Sequence, residues 1–307
     1  MLSYIYTIAI LVSGIITTSL HAATVNPVQN GKIDLTHWNS DEQDLLNLKG
    51  DWEFYWSQLL TPEDFKTSIP NNRSLIPVPG SWNRVADFNE KGFATYRLRV
   101  QLAKIQELAL TLPTIWSSSR VYLDGKLVAK AGRVGEVDDK KVYEPGTREH
   151  YFVFTPKQND FDLIIQVSSF EFFLAGISAP VMFGTPAAVL RHREIEMAIA
   201  NILVGSLFIM SFYHLCLFAL RTKARSTLYF GLMLLSSGAY VLAGRGSGII
   251  LFIPDLSFNM AIRLFNGWIP GIAVFTLFTY ELFPKYYSKR VAWSAAYVCF
   301  PLYALIC

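Results

Sequence analysis

Near Ile195 the chain changes from a soluble composition to a membrane one, and it keeps that character to its last residue. Residues 197–220 contain no Asp, Glu, Lys or Arg, and residues 226–243 are likewise uncharged. Residues 261–283 carry Arg263 near one end and Glu281 near the other, and residues 291–307 form a fourth apolar run in which the sequence stops. A helix needs about 20 apolar residues to cross the hydrocarbon, where every backbone polar group must be satisfied within the segment. The first three runs have that length and the fourth falls just short. The chain therefore reads as a polytopic membrane protein cut within its fourth span.

Composition sharpens the division. Apolar residues make up 52 % of the chain and charged residues 17 %, but the charges concentrate in residues 24–194 and in the short breaks between apolar runs. A net charge of +3, scattered along the chain, gives no electrostatic footprint for nucleic acid. The three cysteines, Cys216, Cys299 and Cys307, all lie in apolar runs. No disulfide framework can hold residues 24–194 together, so that domain relies on its own core, for which about 170 residues suffice.

Residues 4–20 are apolar and end at His21-Ala22-Ala23, the pattern of a signal peptide over residues 1–23, with an uncleaved anchor as the alternative. Either form exports residues 24–190 and leaves residues 191–307 as the membrane region. Loop charges agree. With the soluble domain outside, Arg221, Lys223 and Arg225 follow the first span on the inside, and Lys285, Lys289 and Arg290 follow the third. The outer loop between spans two and three has only Arg245 against Asp255. This is the positive-inside distribution, and it places the N-terminal domain on the outer side of the membrane.

Within the exported domain, strand signals dominate. Tyr96, Leu98, Val100 and Leu102 alternate with Arg97, Arg99 and Gln101, the period-2 pattern of a half-buried strand. Residues 107–112 repeat the alternation. Asp124-Gly125 between two apolar runs predicts a hairpin. Residues 151–154 and 161–167 are two more strands, whereas polar, aperiodic residues 134–148 read as a long surface loop. Short strands at this spacing predict an antiparallel β-sandwich followed by an α-helical transmembrane bundle.

Two aromatic stretches precede these strands: Leu48-Lys49-Gly50-Asp51-Trp52-Glu53-Phe54-Tyr55-Trp56 and Val78-Pro79-Gly80-Ser81-Trp82-Asn83. Together with Gly92-Phe93-Ala94-Thr95-Tyr96-Arg97 and the Tyr122-Leu123-Asp124-Gly125 hairpin, the second resembles the galactose-binding-like jelly roll of β-galactosidase-type glycoside hydrolases. The first stretch, with a signal peptide and several spans, resembles bacterial 7TM-DISM receptors, seven-helix receptors with diverse intracellular signalling modules. The resemblance implies a periplasmic jelly roll that senses a ligand, seven spans and a cytoplasmic output module. This sequence covers three spans and most of a fourth.

Trp52, Tyr55, Trp56, Trp82 and Trp116 can stack on a sugar face or fill a core. Trp116 is the best binding candidate among them, because residues 113–119 are polar and small, as binding loops are. Arg97, on the polar strand face, and Glu171, among Phe170, Phe172 and Phe173, complete the candidate ligand set, although the favoured readings are a solvated side chain for Arg97 and a place at the domain–membrane junction for Glu171. Within the spans His214 and Glu281 are the ionisable residues to watch. His214 lies six residues from the inner end of its run, roughly 9 Å deep, and Glu281 lies near the same leaflet; a locally bonded histidine and a snorkelling glutamate is the favoured reading, and a cross-helix pair the alternative. Gly231 and Gly238, seven apart, offer a close-packing face, and Asn266 and Pro270 a kink.

No pair of carboxylates is placed across a cleft as a glycosidase needs, and the histidines lack metal-ligand spacing, so neither catalytic nor metal residues nor a cofactor are assigned. The sequence thus favours a membrane receptor whose periplasmic domain binds a small ligand, carbohydrate being one class. Its partners would be the bilayer and a signalling protein or a second copy. A membrane-anchored carbohydrate-binding or adhesion protein without signalling is the alternative, which several spans disfavour.

Overall fold

A computed structural model describes residues 27–67, 70–85, 88–139, 141–146, 148–171, 175–244, 253 and 256–306. The expected signal peptide, and Arg245 and Asp255 of the outer loop, lie outside the described residues.

The N-terminal part folds into two facing sheets. The larger has the order β4 (Arg73–Val78), β3 (Gly50–Trp56), β5 (Gly92–Leu102), β10 (Asp160–Ser169), β7 (Ser118–Leu123), β8 (Lys126–Ala131). A short β1 (Lys32–Leu35) runs parallel to the end of β5, with Ile33 opposite Val100; the other pairings are antiparallel. The smaller sheet has the order β2 (Leu45–Asn47), β11 (Met182–Gly184), β6 (Leu108–Leu112), β9 (His150–Phe154). The hairpin joining β7 to β8 turns at Asp124 (φ 49°) and Gly125 (φ 78°), the two left-handed positions that make Asp-Gly favourable there.

The sheets share one core. Phe54 is the hub of its aromatic part, with ring centroids 4.9 Å from Tyr96, 5.2 Å from Phe88 and 6.1 Å from Trp82. Trp52 and Trp82 are fully buried, and each satisfies its indole N–H locally, on the carbonyls of Leu48 and Asn89. Of the two readings of the aromatic motifs, the core one therefore holds for these tryptophans. The segment 134–148 is less of a surface loop than its polarity suggests. Val134 and Tyr143 are buried, Arg133 and Glu144 exchange backbone hydrogen bonds, and Ser168 Oγ donates to the Gly135 carbonyl at 2.7 Å.

Two one-turn helices, α1 (Asp64–Thr67) and α2 (Trp82–Val85), decorate the sandwich. The membrane part then comprises α3 (Pro186–Leu220), α4 (Arg225–Ala243), α5 (Phe258–Phe265), α6 (Trp268–Leu282) and α7 (Lys289–Ile306). Among the described residues three stretches are long and apolar enough to cross a membrane: α3, α4, and α5 with α6 together. Thr185 caps α3, accepting from the Ala188 N–H, and Pro186 occupies the first turn, where no N–H is needed. The 35 residues of α3 extend about 52 Å against a hydrocarbon core of about 30 Å. Its first turns stand outside the bilayer and pack against β6 and β11. The helix is continuous through position 190, so the sandwich passes into the membrane without a linker.

Gly231 and Gly238 are the two buried residues of α4, and they let α3 approach closely. A Cβ at Gly238 would sit 2.4 Å from the Phe208 ring, and Ser211 Oγ donates to the Gly231 carbonyl at 2.7 Å. The third span breaks at Asn266-Gly267, between α5 and α6, with Pro270 in the first turn of α6. Ser236 on α4 bonds the Gly267 carbonyl freed by that break.

Candidate functional site

Two places on the sandwich carry organised polar or aromatic chemistry. The first is the outer face of the large sheet around Arg97. Alternation along β5 turns this arginine away from the core, yet it is only 6 % exposed. The segment 58–67 lies over it, tied down by Gln166 Nε2 donating to the Leu60 carbonyl and Thr95 Oγ1 donating to the Gln58 carbonyl. The Phe65 ring stands 4.4 Å from the Arg97 guanidinium, a cation–π contact. Beneath it, Arg97 bonds Glu53 at 3.3 Å and Asp162 at 2.7 Å; Arg73 holds the other Glu53 oxygen at 3.0 Å, and Arg99 the other Asp162 oxygen at 3.1 Å.

Burial works against the Arg97 charge, but the bond to Asp162 and the fields of Asp162 and Glu53 outweigh it, so its pKa rises. Tyr55 donates to Glu53, and burial first, then the Glu53 charge, push its hydroxyl up to about 12. Beside this network opens a cavity of about 450 Å³ lined by Phe65, Lys66, Arg97, Arg99, Asp160 and Asp162 among others. Arg97 Nε is buried and still lacks an acceptor. Alternating cationic and anionic groups over an apolar floor can meet a ligand whose hydroxyls both donate and accept.

The second place is the end of the sandwich nearest the membrane. Trp116 is fixed by a backbone bridge to Gly176 (φ +106°), where a side chain would strike the Tyr96 hydroxyl. The Trp116 ring packs on α5, with centroids 6.0 Å from Phe258 and 5.6 Å from Phe265. Phe258 and Phe265 are seven apart, two turns along one helix face, and Phe265 continues the contact to Tyr240 of α4 at 5.5 Å. Glu171 lies at the same end, exposed, beside Phe170 and Tyr143. Burial chiefly pushes the Tyr143 hydroxyl up to about 12, and the Glu171 charge adds to the rise.

The candidates thus divide. Trp116 and Glu171 share the membrane-proximal end, while Arg97 sits apart on the sheet face. In the spans, His214 Nδ1 lies 2.9 Å from the Met210 carbonyl, and its ring meets Phe230 at 4.6 Å. Phe230 in turn meets Phe278 of α6 at 5.3 Å. Aromatic rings connect the two helices there, and among the described residues no ion pair joins His214 to Glu281. Glu53, Phe65, Asp162, Phe258 and Phe265 were not legible as site residues. For Glu53 and Asp162 the available signal was their parity, since each opposes an arginine once the strand register is known.

Residues 196–307 match the family model described as 7TM diverse intracellular signalling. The membrane part of the chain is thus similar to the membrane region of that family. A search of curated proteins gives no match. Among solved structures the chain is similar to a GH2 β-galacturonidase from Eisenbergiella tayi bound to galacturonate, at 16 % identity and TM-score 0.32, covering 46 % of this chain and 24 % of that one. It is similar to a β-glucuronidase from Faecalibacterium prausnitzii (18 % identity, TM-score 0.34, 46 % and 31 % covered) and to one from Ruminococcus gnavus (15 % identity, TM-score 0.34, 53 % and 30 % covered). The chain therefore spans less than a third of the length of those glycosidase chains.

Proposed function

We propose that this chain is the sensing part of a bacterial inner-membrane receptor. A small ligand, with carbohydrate the first class to test, binds the periplasmic sandwich at the cavity beside Arg97, and the membrane helices pass the change inward. The observation that carries this reading is the seating of Trp116 between Phe258 and Phe265. It gives the sandwich a second hold on the bundle besides α3, so the sandwich cannot shift without moving α5. Strand β10 runs from Asp162 in the cavity to Ser169 at the junction, a path of about 23 Å. The break at Asn266-Gly267 gives α5 a place to pivot against α6. A ligand shifts such an equilibrium only by preferring one of its two states.

The test uses the full chain in nanodiscs. A panel of mono- and oligosaccharides is screened for a saturable rise in melting temperature. Hydrogen exchange across residues 258–282 is then compared with and without the sugar that binds. The expected result is altered exchange in α5 and α6, abolished by Trp116→Ala while the melting shift persists. A ligand that protects only the sandwich would instead support an anchored binding protein without signalling.

A further inference from the structure

The cavity between the sandwich and α5 is unaccounted for by ligand sensing on the sheet face. It holds about 540 Å³ and is lined by Lys130, Glu144 and Arg148 from the sandwich and by Leu256, Ser257 and Phe258 from the start of the third span. Its position follows from the topology. The third span begins at Phe258, on the sandwich side of the bundle, so the cavity opens where apolar helices leave the hydrocarbon, at headgroup depth.

Its two halves differ in chemistry. The sandwich half is cationic. Among the described residues Lys130 and Arg148 have no ion pair, and both are exposed; Glu144 is already held by Arg133 at 3.3 Å. The helix half is apolar at Leu256 and Phe258. It also presents the first turn of α5, where Ser257 Oγ accepts from the Met260 N–H and leaves earlier N–H groups for an anion. Close approach of Gly132 and Gly146 keeps side chains out of that wall.

We propose that this cavity binds a phosphate anion carried by the headgroup of an outer-leaflet phospholipid, with Lys130 and Arg148 on the phosphate and Leu256 and Phe258 against the glycerol and upper acyl chain. The occupant bridges the sandwich to α5 beside the Trp116 contact, so anionic lipid strengthens the attachment of one to the other. The site needs only that the helices cross a bilayer; it stands whether or not the sandwich senses a sugar.

Native mass spectrometry of the full chain in detergent, titrated with phosphatidylglycerol and, separately, with inorganic phosphate and glycerol 3-phosphate, tests it. A basic side chain near an anionic surface strengthens binding roughly fivefold, so Lys130→Ala with Arg148→Ala should weaken phosphatidylglycerol retention roughly 25-fold. Both residues are exposed, so the variant should keep the melting temperature of the lipid-free protein. The control replaces Lys126 and Lys157, at the far end of the sandwich, and should leave retention unchanged. Equal loss in the control, or unchanged retention in the cavity variant, overturns the proposal. Retention of phosphatidylglycerol undisturbed by the soluble phosphates identifies the lipid as the source. Competition by glycerol 3-phosphate that depends on Lys130 and Arg148 keeps the phosphate site and overturns its lipid occupant.

Discussion

Replacing Arg97 by methionine removes the centre of the charge network while keeping most of the side chain's volume. In the native domain the Arg97 side chain is 7 % exposed, and its partners Glu53 and Asp162 are 11 % and 25 % exposed. Breaking a buried ion pair from one side costs about 3–5 kcal/mol when the remaining charge is stranded. Here the carboxylates are not stranded, because Arg73 and Tyr55 still serve Glu53 and Arg99 still serves Asp162. Loss of the Phe65 contact adds about 0.5–1 kcal/mol. We expect a net destabilisation of about 2–4 kcal/mol, or a fall in melting temperature of roughly 5–12 °C for a domain of this size. Thermal unfolding of the full chain, followed by the β-sheet circular dichroism signal, measures it. A double-mutant cycle with Glu53→Gln separates the pair from its surroundings. A fall of less than about 2 °C would refute the reasoning, since desolvating Arg97 would then cost as much as its partners return.

Three further outcomes follow from the same geometry. Burial, with the nearby Arg148 charge second, lowers the His150 pKa from 6.5 to about 4. The unfolded chain therefore takes up a proton that the folded one refuses between those values, and stability should fall as pH drops from about 6.5 to about 4. Urea titrations should show a loss of at most about 3 kcal/mol, reduced by the ring's partial exposure, and His150→Gln should flatten it. Gly238→Leu should push Phe208 aside and lower bundle stability by about 1–3 kcal/mol in detergent unfolding, whereas Gly205→Leu, with open space around it, should not. Arg191→Ala should change stability by less than about 0.5 kcal/mol, because its 2.7 Å pair with Asp44 is solvent-exposed on both sides.

The sequence by itself determined the division into a β domain and a helical membrane part, because hydrophobic periodicity and run length reflect the local geometry of strand, helix and bilayer. The strands at Tyr96–Leu102, the Asp124-Gly125 turn and the close-packing glycines Gly231 and Gly238 were all legible for that reason. The short strands β1, β2 and β11 were not, since three or four residues are too few to show a period and exist only because longer strands pair with them. Alternation likewise placed Arg97 on the face opposite the core, but it could not say that residues 58–67 would cover that face. Only the tertiary structure decided that Arg97 is a buried ion-pair centre. The same holds for Trp116. Its sequence surroundings are those of an exposed loop, and its partners Phe258 and Phe265 lie some 140 residues away. What a loop residue touches depends on how two separately stable parts meet, which no local pattern encodes.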